Sequence, residues 1–312
     1  MNTGEGTPLE ELARDVLRRW QLDGEPERVD IGVNKVTWKI GDSFWLSSDF
    51  TSAQEDTTRL EGLLTRVAAE FGDSIAVPRF VPSPSGTVLE AGGRVWWVTR
   101  HVDGRHPDPA SEPDMMAVAQ GLAVMHEALS HVPREYAVSG DTCEGLFRAG
   151  EELVGDDRLQ FTPDDLDSAR HSADLVLKNL DTVLARGMQL THGDPSNPNL
   201  FLSGSPARLT GAIDWDYARF DLVLSDVATM GQTILFRSGS GRPREFLQDG
   251  LAAYAAAGGA EIGIEEALIG VLMVLFEAVA HHGRRFILGQ GDYDRVGGRI
   301  DNMRTVLGLL GA

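Results

Sequence analysis

The side chains best suited to chemistry lie between Leu190 and Asp226. Thr191-His-Gly-Asp194 is followed by a loop broken at Pro195 and Pro198, then by Asn199, and later by Ile213-Asp-Trp-Asp216. An aspartate in a polar loop can orient a hydroxyl and accept its proton. A carboxylate and an amide are oxygen ligands of the kind Mg²⁺ takes, its other positions going to water and phosphate oxygens. Any one of these residues alone is an ordinary turn-former beside a proline. The three together, each at the end of an apolar strand, point to phosphoryl transfer, whose loose transition state asks the protein to position groups and neutralise charge. Asp194 suits the base, while Asn199 and Asp214 suit the metal.

A local hairpin must bring them together. Leu200–Leu202 and Leu209–Ile213 read as short strands joined by the turn Gly204-Ser-Pro206. If they pair, Asp214 returns beside Asn199. Upstream, Leu9–Trp20 has amphipathic helical spacing, and Val29–Ser48 reads as strands, with Val36–Ile40 and Phe44–Leu46 flanking the hairpin signal Gly41-Asp42. Ser52–Phe71 is helical, with Leu60, Leu63, Leu64 and Val67 on one face. Ala76–Val81, Thr87–Glu90 and Val95–Val102 form a meander. The Pro/Gly-rich stretch Asp103–Asp114 marks a boundary. Beyond it come helices at Met115–Leu129, from an N-cap at Thr162 to a stop at Gly187, and over Glu245–Ala257, Glu265–Ala280 and Asp292–Leu310. The expectation is an α+β chain: residues 1–102 mostly antiparallel sheet with one helix, and residues 103–312 mainly helical.

Composition narrows the partners. The net charge is −19, from 28 basic and 47 acidic residues. That argues against a nucleic-acid partner, which needs clustered Lys and Arg, and suits either simple solubility or a cationic substrate. Residues 141–181 hold eleven acids against four bases, readable as a solvated face or as an acidic wall for a polycation. The lysines are Lys35, Lys39 and Lys178, so a function needing lysine has few candidates. Cys143 is alone, which removes any internal disulfide or multi-cysteine metal site. The N-terminus lacks a basic region followed by an apolar run, and the longest apolar stretch, Ala267–Ala280, contains Glu277 and is too short to span a bilayer. A cytoplasmic protein without a membrane partner is expected.

His192-Gly-Asp194, Asn199 and Ile213-Asp214-Trp215-Asp216 closely resemble the motifs of the aminoglycoside phosphotransferase and choline kinase superfamily, the small-molecule branch of the protein-kinase fold. The resemblance implies a two-lobe kinase-like fold and transfer of the γ-phosphate of ATP or GTP, with Mg²⁺, to a small-molecule hydroxyl. The acceptor would be an antibiotic, aminoglycoside-like or other; a metabolite kinase of choline, homoserine or sugar type shares every motif. It implies Asp194 as catalytic base, His192 holding the catalytic loop, and Asn199 and Asp214 as metal ligands with Asp216 assisting. Asp221 and Asp226 look like acids that brace that loop. Thr99-Arg100-His101-Val102 looks like the linker whose backbone reads the base, and Leu202 and Ile213 like the apolar floor beneath it, though core packing is the other reading of both.

One expected residue is missing. Where the family places a phosphate-binding cation in the third strand, Phe44-Trp-Leu-Ser-Ser48 puts Ser47, and Glu61 on the next helix has the place of its carboxylate partner. Lys35, in the turn Gly32-Val-Asn-Lys35, is the substitute considered, with Lys39 behind it; a different purine nucleotide or an inactive kinase-like binding protein would also fit. His126-Glu127 with His131 has the wrong spacing for a zinc site and reads as ordinary helix surface. Ser238-Gly-Ser-Gly241 reads as a loop, and His281-His282 as a polar helix face or the rim of a substrate pocket.

Overall fold

The computed structural model describes residues 9–29, 35–50 and 53–312. The chain divides into two compact units, Met1–Asp103 and Gly104–Ala312.

In the first unit, β1 (Pro26–Val29), β2 (Val36–Ile40), β3 (Phe44–Phe50), β4 (Val88–Ala91) and β5 (Arg94–Arg100) form an antiparallel sheet of order β1-β2-β3-β5-β4. Period-two alternation puts Trp38, Ile40, Leu46, Trp96 and Val98 into one core, covered by Ala13, Val16, Leu17 and Trp20 of α1 (Leu9–Trp20). The Trp38 and Trp96 rings stack with centroids 5.4 Å apart. Helix α2 (Gln54–Phe71) buries Leu60, Leu63, Leu64 and Val67, the stripe its spacing predicted. The expected strand over Ala76–Val81 does not form. Pro78 and Pro82 have no amide to donate, so the segment makes isolated bridges, at Ala76 and at Phe80 opposite Thr99, with bonds from Val81 N to Val98 O and from Arg100 N to Arg79 O.

The second unit is built on helices: α3 (Glu112–Leu129), α4 (Cys143–Val154), α5 (Pro163–Leu184), α6 (Val223–Arg237), α7 (Pro243–Ala256), α8 (Ile264–Ile287) and α9 (Tyr293–Leu310). Thr162 caps α5 in a reciprocal capping box with Asp165. Helix α8 is buried on most of its circumference, and α4, α5, α6 and α9 pack around it. Helices α4 and α8 meet backbone to backbone: a Cβ on Gly150 would stand 2.0 Å from the Phe276 carbonyl oxygen. Two small antiparallel sheets complete the unit, β6 (Gln189–Thr191) with β9 (Arg219–Asp221), and β7 (Leu200–Ser203) with β8 (Arg208–Ala212). Among the described residues no helix is long and apolar enough to cross a membrane.

Candidate functional site

The β7–β8 hairpin forms as its turn chemistry demands. Leu200 lies opposite Ala212, and the Ile213 amide donates to the Asn199 carbonyl at 2.8 Å, so Asn199 and the Ile213-Asp214 step are neighbours. Asp214 leaves β8 in the left-handed region at φ +64°, which aspartate tolerates better than most residues. The half-buried Asp194 and the buried Asn199 are bonded directly: Asn199 Nδ2 donates to the Asp194 carbonyl at 2.9 Å, to its Oδ2 at 3.1 Å and to Ser196 Oγ at 3.3 Å. With its amide hydrogens so used, Asn199 keeps its carbonyl oxygen for another partner.

His192 ties the loop to the hairpin. Its Nε2 is 3.0 Å from the Ile213 carbonyl, which can only accept, and its Nδ1 is 3.3 Å from the Asp194 amide, which can only donate. The proton therefore sits on Nε2. The ring lies against Trp215 at 4.3 Å. Gly193, at φ +87°, is forced by contact as well as by conformation: a Cβ there would stand 2.0 Å from the Tyr217 carbonyl oxygen.

Behind the loop stands Asp226, fully buried on α6. Its carboxylate accepts the His192 amide at 2.9 Å, the Gly193 amide at 3.0 Å and His126 Nε2 at 3.1 Å. Burial would raise this carboxyl, but the His126 hydrogen bond, the neighbouring histidines and the backbone amide hold it below its ordinary value. His126 Nδ1 in turn meets the Tyr254 hydroxyl at 2.8 Å. Reading His126 as helix surface is therefore wrong; it is 4% exposed. Its spacing from the buried Ala119, Leu122 and Leu129 was the available signal, since 119, 122, 126 and 129 share a face. Tyr254 carried no such signal.

Asp221 does not brace the loop as expected. It accepts the Cys143 amide at the start of α4 at 2.6 Å, and its Oδ2 lies 2.8 Å from Arg219 Nε, too bent for a hydrogen bond. Arg219, 1% exposed, makes a bidentate pair with Glu277 at 2.8 and 2.9 Å. That pair explains the charge inside the apolar run of α8. Asp216 lies half-buried in the short turn Trp215–Tyr217. Leu202 is buried in β7 and exchanges two backbone bonds with Arg105, while Ile213 is half-buried.

In the first unit Ser47 is buried in β3, opposite Thr37 and Trp97. Glu61 accepts the Thr87 hydroxyl at 2.6 Å. Lys39 pairs with Asp42 at the surface. Lys35 is half-buried at the start of β2, and the rest of its turn, 32–34, lies outside the described residues. Thr99 and Val102 are buried. The Arg100 and His101 amides are already spent on the Arg79 and Ser43 carbonyls, and Trp45 Nε1 donates to His101 Nδ1 at 2.8 Å.

Among the described residues no three His, Cys, Asp or Glu side chains gather as a metal cage. Mg²⁺ bound to a nucleotide needs only one or two protein oxygens beside phosphates and water, and the Asn199 carbonyl oxygen with the Asp214 carboxylate fits that smaller requirement.

The chain is similar to known proteins in sequence family and in fold. The phosphotransferase enzyme family matches residues 27–262, and the chain belongs to it. No curated protein matches. Among solved structures, the GDP and kanamycin complex of APH(2")-IIia has 15% identity and a TM-score of 0.73, covering 96% of this chain and 98% of that one. A microcompartment-associated aminopropanol kinase has 15% identity and a TM-score of 0.70, over 95% and 94%. APH(3'')-Id of Streptomyces rimosus, with ADP and streptomycin, has 15% identity and a TM-score of 0.62, over 87% and 99%. The fold is therefore the kinase-like α+β fold of small-molecule phosphotransferases.

Proposed function

We propose that this chain transfers the γ-phosphate of a purine nucleoside triphosphate to a hydroxyl of a small molecule. The observation that carries the proposal is the joining of Asp194, Asn199 and the Asp214 strand end through direct bonds, with His192 locked between them. Asp194 takes the proton of the acceptor hydroxyl, whose oxygen bonds to the γ-phosphorus as the bridging bond to the β-phosphate breaks, leaving the nucleoside diphosphate. Asn199 Nδ2 fixes the base by holding one of its carboxylate oxygens. The Asn199 carbonyl oxygen and Asp214 would hold Mg²⁺, which supplies charge neutralisation on the phosphates.

The donor is ATP or GTP, a choice supported by the ADP and GDP found in the two antibiotic phosphotransferase structures. Antibiotic inactivation and metabolite phosphorylation use the same chemistry; kanamycin and streptomycin are bound in two of the similar structures, and a third is an aminopropanol kinase. The acidic wall for a polycation gains no support: Asp156, Asp165 and Asp167 pair with Arg158, Arg304 and Arg170. Asp141, Glu152, Asp164, Asp174 and Asp181 are exposed. A binding protein without catalysis is the second reading, favoured by one observation, the buried Ser47 in place of a cation.

A γ-phosphate transfer assay with Mg²⁺ and each nucleotide over a panel of small alcohols decides between them. Asp194→Asn should lower kcat by about 10³-fold or more, the loss of a positioned base, while nucleotide-induced thermal stabilisation persists. Full turnover in Asp194→Asn, or no transfer by the wild type to any acceptor, refutes the proposal.

A further inference from the structure

The stretch between the proposed base and the proposed metal ligand has few backbone bonds to hold it. Pro195 and Pro198 lack an amide hydrogen. The ends of the loop are tied down, the Asp194 amide by His192 Nδ1 and the Asn199 carbonyl by the Ile213 amide. Between them the bonds turn inward. Residues Asn197–Asn199 make a single helical turn, in which the Asn199 amide donates to the Ser196 carbonyl at 2.9 Å and the Leu200 amide to the Asn197 carbonyl. The Asn199 side chain is spent on Asp194 and Ser196. These bonds set the shape of the loop, and its middle needs a separate anchor.

Asn197 supplies one. It is 7% exposed, and its Nδ2 donates to the Pro107 carbonyl at 3.2 Å and lies 3.8 Å from Met115 Sδ. A carbonyl can only accept, so the nitrogen end of the amide must face Pro107. Among the described residues no other hydrogen bond leaves residues 195–198 for a distant part of the chain.

The accepting end is itself fixed. Arg105 exchanges two backbone bonds with Leu202 in β7, at 3.0 and 2.8 Å. The His106 ring stands 4.6 Å from that of Phe201, and its Nδ1 is 3.2 Å from the Leu200 carbonyl. On the other side of Pro107, the Asp108 amide donates at 3.0 Å to Asp114, a buried residue in the first turn of α3 that also takes the Arg105 guanidinium on both oxygens. Pro107 is therefore held to β7 and to α3 at once. Strand β7 starts at the residue after Asn199, so the Pro107 carbonyl keeps a set place relative to the proposed metal ligand.

We propose that Asn197 is a positioning residue for phosphoryl transfer. Its amide, bonded to Pro107, holds the middle of the 194–199 loop so that the Asp194 carboxylate and the Asn199 side-chain oxygen keep their spacing. The positioning role rests on the transferase reading, whereas the anchor does not. Asn197 acts through its neighbours, and a reacting group displaced by about 1 Å is enough to cost about 10²-fold in rate.

Two measurements on the full chain test the anchor and the role separately. Asn197→Asp keeps the size of the side chain but replaces its donor with an acceptor facing a carbonyl. Amide hydrogen exchange followed by NMR needs neither nucleotide nor acceptor. The Asn199 and Leu200 amides, bonded inside the loop, should exchange about tenfold faster or more in Asn197→Asp. The His192 and Gly193 amides, which Asp226 holds, should keep their wild-type rates. No acceleration at Asn199 and Leu200, or an equal acceleration of all four amides, overturns the anchor.

The second measurement is steady-state transfer, ATP against GTP, to an acceptor that the wild type phosphorylates. Asn197→Asp should lower kcat about 10- to 100-fold while KM for the nucleotide stays within about twofold, a split that general destabilisation well below the melting temperature would not produce. Asn197→Leu, close in size and without a donor, should do the same and covers the case in which Asn197→Asp does not fold. Wild-type kcat in a folded Asn197→Asp, or in Asn197→Leu if the former does not fold, overturns the positioning role, and so does a loss confined to KM. If the wild type phosphorylates nothing but exchange at Asn199 still depends on Asn197, the anchor stands and the transferase reading fails, taking the positioning role with it.

Discussion

Replacing Asp226 with asparagine removes one charge and almost no volume, so its effect reports on the charge and hydrogen bonds of the carboxylate and not on packing. The carboxylate accepts from two backbone amides, His192 and Gly193, and from His126 Nε2. Asparagine has one acceptor oxygen, so at least one of these donors must face an NH₂ group. Bonds to a charged acceptor are worth about 1.5–3 kcal/mol each, and disrupting a buried charged network costs about 3–5 kcal/mol. Against a typical total of about 5–15 kcal/mol this is a large fraction. The urea midpoint of the second unit should fall by about 1–2 M at an unchanged slope.

The same residue gives a pH signature. Its carboxyl is held below its value in the unfolded chain, which is about 3.9. Its contribution is therefore complete at neutral pH and fades as pH falls from about 4 through the lower folded value. Wild-type stability, measured by urea titration between pH 6 and 3, should decline over that range more steeply than that of Asp226→Asn. A variant within about 1 kcal/mol of wild type at pH 7, or one with the same acid slope, would refute the role given to this network.

Two further substitutions probe the supports of the site. Gly193→Ala must place a Cβ 2.0 Å from the Tyr217 carbonyl in a left-handed backbone. It should cost about 2 kcal/mol or more in thermal unfolding and lower transfer activity, because the turn after Asp214 has to move. Glu277→Ala leaves the buried Arg219 guanidinium with only its bent contact to Asp221. A loss of about 3–5 kcal/mol by chemical denaturation is expected, and a loss below about 1 kcal/mol would show that water reaches Arg219.

The parts of the site that were legible in the sequence are those built from local contacts. Two prolines, a glycine-bearing turn and two short apolar strands suffice to specify the β7–β8 hairpin, and the hairpin alone brings Asn199 to the Asp214 strand end. Thr162, Pro163 and Asp165 likewise announced the start of α5. The Ala76–Val81 segment misled because β-prone residues masked the effect of Pro78 and Pro82 on the ladder.

What the sequence could not convey is which distant polar groups meet in the interior. His126 joins Asp226 across 100 positions and Tyr254 across 128, and neither separation leaves a periodic trace. Turn chemistry and helical spacing are set by neighbours along the chain, so the amino-acid order determined the hairpin and the meeting of Asn199 with the Asp214 strand end. Burial is set by how whole helices pack, so the tertiary structure alone decided that His126 is part of the loop's support.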